Sequence, residues 1–388
     1  MEFITFGCKV NQYETQLLKE NFPYIDVIPD NICIINSCCV TNKVEKEVKS
    51  TIRKKQKEGK NVWLTGCFIN EEKIKFLFPS IKIFNKFEFC KEIKTIKSFN
   101  NHTRSFVKIE DGCENNCSYC IIPLVRGKVK SRDDEEIIEE IKKLTESGYK
   151  EIVLTGIDLG AYGKDNGKKI TTLIEKISKV KNLKRIRLSS IEAIYINKAL
   201  VDFLSSLDIF CPHFHIPLQS GSDKILKMMK RNYNFSQYMK KIEIIKKIMK
   251  NVTFTTDIIV GFPGEKEDDF NQSCKAIEEI NFLKVHIFPF SPREGTKAYF
   301  MENKVDYKVK KEREKVLSYS VKKEREKVMK KFLSLPLSVL FEKKEENLWT
   351  GYSENYIPFS VISDDDIKNE IVKVIGKEIK NDKIYGII

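Results

Sequence analysis

Three cysteines, Cys113, Cys117 and Cys120, are spaced C-x3-C-x2-C within residues 106–132, FVKIEDGCENNCSYCIIPLVRGKVKSR. Soft thiolates at this spacing suit one face of an iron–sulfur cluster, and three of them leave one iron of a [4Fe–4S] cluster without a protein ligand. Structural zinc sites use four ligands, and no second cysteine pair or nearby histidine follows this loop. We therefore predict a cluster with an open iron on these loop cysteines, with an incomplete zinc site as the alternative.

The composition limits the class of protein. The chain has 388 residues, of which 41% are hydrophobic, enough for two or three domains with their own cores. Eleven cysteines without an N-terminal signal segment predict reduced, metal-binding thiols in the cytoplasm. No run of 18 apolar residues occurs, so no membrane span is expected. The formal charge of +14 suits a polyanionic partner.

Residues 1–98 alternate short apolar strands with helices, which predicts an α/β domain with a doubly wound parallel sheet. Cys8, Cys38 and Cys67 follow the first, second and third predicted strands. Loops at the carboxyl ends of parallel strands converge on one crevice, so we expect these strand-end cysteines to meet in space. The alternative is that they are buried small hydrophobic residues, the usual fate of a free cysteine.

Residues 99–331 contain six further predicted strands separated by helices, which indicates a partial, open (β/α)6 barrel with right-handed crossovers. The loop cysteines follow the first of these strands, at the carboxyl end where barrel chemistry is found. From residue 332 the apolar pattern changes to alternation, which predicts a small β-barrel over 332–388.

The string DGCENNCSYCIIPLVRGKVKSR resembles the signature of radical S-adenosylmethionine (radical SAM) methylthiotransferases, in the branch acting on threonylcarbamoyladenosine in tRNA. FGCKVNQYET, NSCCVTN and TGCF resemble the motifs of that family's N-terminal domain, LTGIDLGAYG and FPFSPREGT resemble the threonylcarbamoyladenosine branch, and the terminal barrel resembles TRAM domains. The resemblance implies that the strand-end cysteines hold an auxiliary [4Fe–4S] cluster.

Two pairs of cysteines need separate treatment. Cys39 adjoins Cys38 where the family commonly has a hydroxyl residue, and we assign Cys38 because it follows Asn36-Ser37, as in the family pattern. Cys33 and Cys90 lie in apolar contexts, and we expect them to be buried without a ligand role.

The resemblance also implies S-adenosylmethionine as cosubstrate on the same barrel face. Thr155 and Gly156, after the second barrel strand, resemble the site for its methionine amino group, and the segment 257–264, DIIVGFPG, resembles the part that contacts its adenine. The other candidate contacts are Tyr119, Ser190, Glu192, Gln219, Ser220 and Ile258.

Residues 303–331 form a predicted helix with 12 Lys/Arg against 5 Asp/Glu, a net charge of +7. Such a helix either is merely solvated or contacts phosphates. The candidate RNA contacts are Lys310, Lys311, Lys322 and Lys323. The terminal barrel has 7 basic and 10 acidic residues, so RNA binding there would depend on stacking by Trp349, Tyr352 or Tyr356, unless these rings are core.

By resemblance, the chain is a tRNA methylthiotransferase that converts N6-threonylcarbamoyladenosine beside the anticodon to its 2-methylthio derivative, using two [4Fe–4S] clusters. Family chemistry implies that S-adenosylmethionine bound to the open iron is cleaved to a 5′-deoxyadenosyl radical, which abstracts hydrogen from adenine C2. Sulfur carried on the auxiliary cluster then attacks that carbon, and a second S-adenosylmethionine supplies the methyl group.

Alternatives remain open at this point. They are a methylthiotransferase acting on isopentenyladenosine in tRNA or on an aspartate of a ribosomal protein, and a non-enzymatic RNA-binding protein with structural clusters. A cytoplasmic monomer is expected, and the sequence identifies neither the sulfur source nor the electron donor.

Overall fold

The computed structural model describes residues 1–22, 30–68, 70–86, 94–99 and 102–388. Cys90 lies outside the described residues. Within the described part of the chain, no helix is both long and apolar enough to cross a membrane.

The N-terminal region is a parallel sheet with strand order β1-β2-β3-β4. Its strands are β1 Glu2–Thr5, β2 Ile32–Ser37, β3 Asn61–Gly66 and β4 Lys82–Ile83. Its helices are α1 Lys9–Asn21, α2 Asn42–Lys57 and α3 Glu71–Leu77. Alternate residues of β2 face opposite sides: Ile32 and Ile34 pack with α1, whereas Cys33 and Ile35 pack with α2. Helices therefore cover both faces, as the sequence predicted, and Cys33 is a core residue.

Six parallel strands form the central part of the molecule, in two groups of three, β5-β8-β9 and β10-β11-β12. The elements up to β9 are β5 Arg104–Lys108, β6 Glu110–Asp111, α4 Ile122–Arg126, β7 Lys130–Ser131, α5 Asp134–Glu146, β8 Glu151–Thr155, α6 Ile170–Ser178 and β9 Arg185–Leu188. The rest are α7 Lys198–Ser205, β10 His213–His215, α8 Asp223–Met228, α9 Phe235–Ile248, β11 Thr253–Val260, α10 Glu267–Ile280, β12 Lys284–Pro289 and α11 Tyr307–Lys330.

Single bridges between Ile186 and Phe210, and between Ser190 and His215, join the two groups into one arc. Among the described strands β12 does not pair with β5, so the arc stays open. This is the predicted partial (β/α)6 barrel.

The C-terminal strands close into a five-stranded barrel of order β13-β14-β15-β17-β16. They are β13 Pro336–Glu345, β14 Leu348–Ser353, β15 Pro358–Ile362, β16 Ile371–Lys380 and β17 Lys383–Ile387. A small barrel was predicted here, and its likeness to TRAM domains stays a prediction.

The C-terminal barrel packs against the amino ends of the central strands. Arg104, at the start of β5, pairs with Glu342, with Nε and Oε1 2.7 Å apart. The rings of Tyr352 and Tyr356 stack with centroids 5.0 Å apart, and the guanidiniums of Arg104 and Arg187 lie over Tyr356. Trp349 is buried in the core of the small barrel. These three aromatic residues are therefore packing residues, at the end of the central barrel opposite the cysteine loop.

Candidate metal centres

The loop cysteines lie between β6 and β7, which pair antiparallel directly beyond the carboxyl end of β5. The Cys113 N–H donates to the Gly127 carbonyl at 3.0 Å and closes the loop. Gly112 has a φ of +79°, and a Cβ there would lie 2.0 Å from the Lys128 carbonyl oxygen. Only glycine fits at this position, which aims the following cysteine into the barrel mouth.

The three loop thiols share one small volume. Burial raises the pKa of Cys113 to about 11 and that of Cys120 to about 12, and the charge of the neighbouring Cys117 acts in the same direction. The Cys117 sulfur accepts a hydrogen bond from Arg231 Nη1 at 3.2 Å. Thiols of this kind are ligands for a metal that displaces their protons on binding.

The strand-end cysteines meet as the topology predicted. A Cβ on Gly7 would lie 2.8 Å from the Cys38 sulfur, so the loops after β1 and β2 are in contact. Burial raises the pKa of Cys38 to about 11, with smaller contributions from the charges of Cys67 and Cys8. Polar side chains hold the loops together: Asn11 Nδ2 donates to the Phe6 and Ser37 carbonyls, both at 2.8 Å.

Cys39 is also buried and packs with Cys67 and with Ile121 of the cysteine loop. The two three-cysteine sets therefore adjoin each other across this contact. Burial raises the pKa of Cys39 to about 12. Since both neighbouring thiols lie close to Cys67, the choice of Cys38 over Cys39 stays a prediction.

Two cavities adjoin the cysteines. One of roughly 200 Å³ lies between the two sets and is lined by Val40, Thr41, Tyr119, Cys120, Gln219 and Asp257, among others. A second, of roughly 250 Å³, is lined by Cys38, Cys39 and Cys67 together with Arg293. A larger cavity of roughly 740 Å³ lies between the central strands and the C-terminal barrel, but none of the six predicted ligands lines it. Chemistry at the cysteines would therefore use the smaller cavities.

The candidate contacts to S-adenosylmethionine fall into two groups. Tyr119 and Glu192 gather around Arg231, which donates to the Tyr119 hydroxyl at 3.5 Å and forms an ion pair with Glu192. Gln219 lines the 200 Å³ cavity, and its backbone has a φ of +68°. Thr155 ends β8 and is buried, while Ser190 is half-buried beyond β9. These residues face the region around the cysteines.

The other candidates are more deeply engaged in packing. Ser220 is buried and accepts the Ser222 N–H at 3.2 Å, and Ile258 lies in the main hydrophobic core. Roles for all these residues in binding the cosubstrate remain predictions.

Sequence reasoning missed two buried carboxyls beside Gly156. A Cβ on Gly156 would lie 2.0 Å from Glu110 Oε1, which accepts the Asp158 N–H at 2.6 Å. Glu110 Oε2 and Asp158 Oδ1 are buried without a hydrogen-bond partner among the described residues. Burial raises the pKa of Glu110 to about 8 and that of Asp158 to about 6. Unpaired buried carboxyl oxygens suit a cationic group such as an ammonium.

The four candidate RNA-binding lysines differ in exposure. Lys310 is half-buried, packs on Gly261 and donates to the Phe290 carbonyl at 3.3 Å. Lys311 pairs with Glu314 at 2.7 Å, while Lys322 and Lys323 are exposed. Phosphate contact by these residues remains a prediction, and Lys310 is the least available of the four.

Two family models match the chain. Residues 107–277 match the Radical SAM superfamily, and residues 1–84 match the Uncharacterized protein family UPF0004. The Threonylcarbamoyladenosine tRNA methylthiotransferase MtaB of Thermotoga maritima is 38% identical, over 91% of this chain and 89% of its own length. The protein of the same name from Bacillus subtilis is 35% identical, over 96% and 92%.

A relative with another name lies slightly further away. The tRNA-2-methylthio-N(6)-dimethylallyladenosine synthase of Lawsonia intracellularis is 32% identical, over 90% of this chain and 89% of its length. Among solved structures, the cobalamin-dependent S-adenosylmethionine radical enzyme OxsB aligns with a TM-score of 0.50 at 11% identity, over 84% of this chain and 56% of that one, which supports the fold. The chain belongs to the radical SAM methylthiotransferases, in the MtaB branch.

Proposed function

We propose that this chain converts N6-threonylcarbamoyladenosine beside the anticodon of tRNA to its 2-methylthio derivative, acting as a cytoplasmic monomer. The substrate is supported by relatives at 38% and 35% identity that are named for this activity and align over nearly their whole length. The relative named for the dimethylallyl substrate is 32% identical. Neither a ribosomal-protein substrate nor a purely structural role is favoured by these names.

The observation that carries the proposal is the contact between two incomplete thiolate sets. Cys67 and Cys39 pack against Ile121, so a group held by the strand-end cysteines would lie next to one held by the loop cysteines. Each set offers three soft donors, which fits a [4Fe–4S] cluster with one iron left for another ligand. Members of this family use such clusters with S-adenosylmethionine, and we assign Cys113, Cys117 and Cys120 to one and Cys8, Cys38 and Cys67 to the other.

The cofactors, when bound, supply the radical chemistry, the sulfur and the methyl group, and the protein binds, orients and shields them. Glu110 and Gly156 are suited to receive the ammonium of S-adenosylmethionine, because the buried carboxyl has an unpaired oxygen. Arg231 fixes Tyr119 and Glu192 beside Cys117. The apolar wall from Ile121 to the strand ends keeps water from the space between the two sets.

We assign these roles to three domains. Residues 1–98 would carry the auxiliary site, and residues 99–331 the radical SAM core with its basic helix. Residues 332–388 would form a TRAM-like module. Because Tyr352 and Tyr356 pack against the central barrel, any RNA surface of the terminal barrel would use other residues.

The test is mass spectrometry of tRNA nucleosides from a host that lacks its own methylthiolation enzymes, with and without this gene. The expected result is 2-methylthio-N6-threonylcarbamoyladenosine in the complemented strain alone. A strain carrying the gene with all three loop cysteines replaced by alanine is the matched control and should lack the product. Appearance of only the methylthiolated isopentenyladenosine would reassign the substrate, and absence of both would contradict the proposal.

A further inference from the structure

Arg126 connects the two three-cysteine sets through its side chain. It ends α4, directly after the cysteine loop, and its side chain is 4% exposed. Its Nε donates to the Cys67 sulfur at 3.2 Å. Nη1 donates to Glu14 and Asp111 at 3.0 and 2.8 Å, and Nη2 to Asn11 and Glu14 at 2.6 and 3.1 Å. All five N–H groups of the guanidinium therefore have an acceptor, which fixes its orientation.

The charges around Arg126 leave room for one more anion. Lys108 contacts both Glu14 and Asp111, at 2.9 and 3.1 Å, and Lys86 pairs with Glu14. The group therefore holds three cations and two carboxylates, a net charge of +1. Buried charges are normally compensated, and a metal-bound Cys67 thiolate at the end of the Arg126 hydrogen bond would bring the group to neutrality.

The same hydrogen bonds reach the other two strand-end loops. Asn11 accepts from Arg126 and donates to the carbonyls of Phe6 and Ser37, which directly precede the Gly7-Cys8 and Cys38 positions. On the other side, Asp111 adjoins the Gly112-Cys113 turn of the cysteine loop and donates no hydrogen bond but accepts two from Arg126. One arginine thus touches the supports of both sets.

We propose that Arg126 is a positioning residue that fixes the strand-end site against the cysteine loop and raises the reduction potential of the cluster held there, through its hydrogen bond to Cys67. The proposal rests on the assignment of two clusters made above. A charged N–H donor to a ligand sulfur stabilises the reduced, more negative form of a cluster, and hydrogen bonds to the sulfurs are among the features that set cluster potentials.

Arg231 provides a matched control. It is equally buried, at 4% side-chain exposure, and its Nη1 donates to Cys117 at 3.2 Å, while its other contacts are Glu192, Tyr119 and Tyr233. It therefore stands to the loop cysteines as Arg126 stands to Cys67, but no described contact joins it to the strand-end set.

The experiment uses the full chain with the three loop cysteines replaced by alanine, reconstituted so that only the strand-end cluster is present. In that background, Arg126→Lys keeps the positive charge but loses the Nε hydrogen bond. The reduction potential, followed by electron paramagnetic resonance during a redox titration, should shift to a more negative value. Arg231→Lys in the same background should leave the potential unchanged.

Each outcome decides the proposal. An unchanged potential in Arg126→Lys, with cluster content retained, would overturn it. Selective loss of the strand-end cluster in the otherwise wild-type chain, with the loop cluster still formed, would support the positioning role. Collapse of the whole apo chain in urea unfolding would overturn it, because Arg126 would then be a general folding residue. If the background chain itself forms no [4Fe–4S] cluster, the two-cluster assignment fails and the inference fails with it, which separates that failure from an unchanged potential.

Discussion

Two glutamates buried at opposite ends of neighbouring strands should respond to pH in opposite ways. Glu110 follows β5 at the barrel mouth and has no cationic partner among the described residues, so burial raises its pKa to about 8. Glu151 begins β8 at the other end, where Arg187 Nε lies 2.8 Å from its Oε1. Although burial alone would raise the pKa of Glu151, Arg187, Arg104 and Arg185 hold it at about 2.

The sign and size of the Glu110 effect follow from proton linkage. Its folded-state pKa lies above the ordinary value of 4.5, so the folded chain binds more protons than the unfolded chain between these values. Stability is therefore fully present below pH 4.5 and is lost as pH rises toward 8. Between pH 5 and pH 8 this group alone should lower the free energy of unfolding by about 3.5 kcal/mol.

The assay is urea unfolding of the apo protein at pH 5 and pH 8, for the wild type and for Glu110→Gln. Because glutamine does not titrate, the stability of Glu110→Gln relative to the wild type should rise by about 3.5 kcal/mol across this range. All other titrating groups cancel in this difference.

Glu151→Gln is the matched control. The stability contributed by Glu151 is present above pH 4.5 and lost only as pH falls toward 2, because its folded-state pKa is depressed. The gap between wild type and Glu151→Gln should therefore stay constant between pH 5 and pH 8. A constant gap for Glu110→Gln as well would refute the reasoning, since Glu110 would then not titrate in this window.

Further expected outcomes concern the cysteines, one loop glycine and the basic helix. Replacing the three loop cysteines by alanine should halve the iron of the reconstituted protein and abolish cleavage of S-adenosylmethionine, as iron analysis and chromatography would measure. Cys38→Ala should abolish methylthiolation but keep that cleavage, while Cys39→Ala should keep both; the reverse result would make Cys39 the ligand. Gly66→Ala should lower the free energy of urea unfolding by about 1–3 kcal/mol, because its Cβ would lie 2.4 Å from Asn36 Oδ1. Each lost phosphate contact should lower the salt slope of tRNA binding by about one unit, and an unchanged slope would make α11 a solvated helix. The lysines to neutralise together for this test are Lys310, Lys311, Lys322 and Lys323.

The sequence by itself determined the elements and the places of the cysteines among them. The helix predicted over residues 42–58 is α2, Asn42–Lys57, and the predicted strand 151–155 is β8, Glu151–Thr155. Periodicity and turn residues act over a few positions, so local pattern is sufficient to define these segments. Placing Cys8, Cys38 and Cys67 at one sheet edge needed only the rule that parallel strands share a carboxyl end.

The tertiary structure alone decided which side chains surround the cysteines. Arg126 and Cys67 are 59 residues apart in the sequence, and Arg231 and Cys117 are 114 apart. No local pattern distinguishes these arginines from the many that remain at the surface, because their partners come from other elements. The only available signal was that Arg126 lies within the string that resembles the family signature.

The same limit explains why charge and aromatic content misled about surfaces. Lys310 sits in a strongly basic helix, yet it packs on Gly261, and Tyr356 lies in an exposed-looking turn, yet it closes the central barrel beneath Arg104 and Arg187. Exposure depends on how one element packs against another, through contacts between residues that are distant in the chain. The sequence therefore determined what the chain is built from and where its thiols gather, while packing decided which charges are buried beside them.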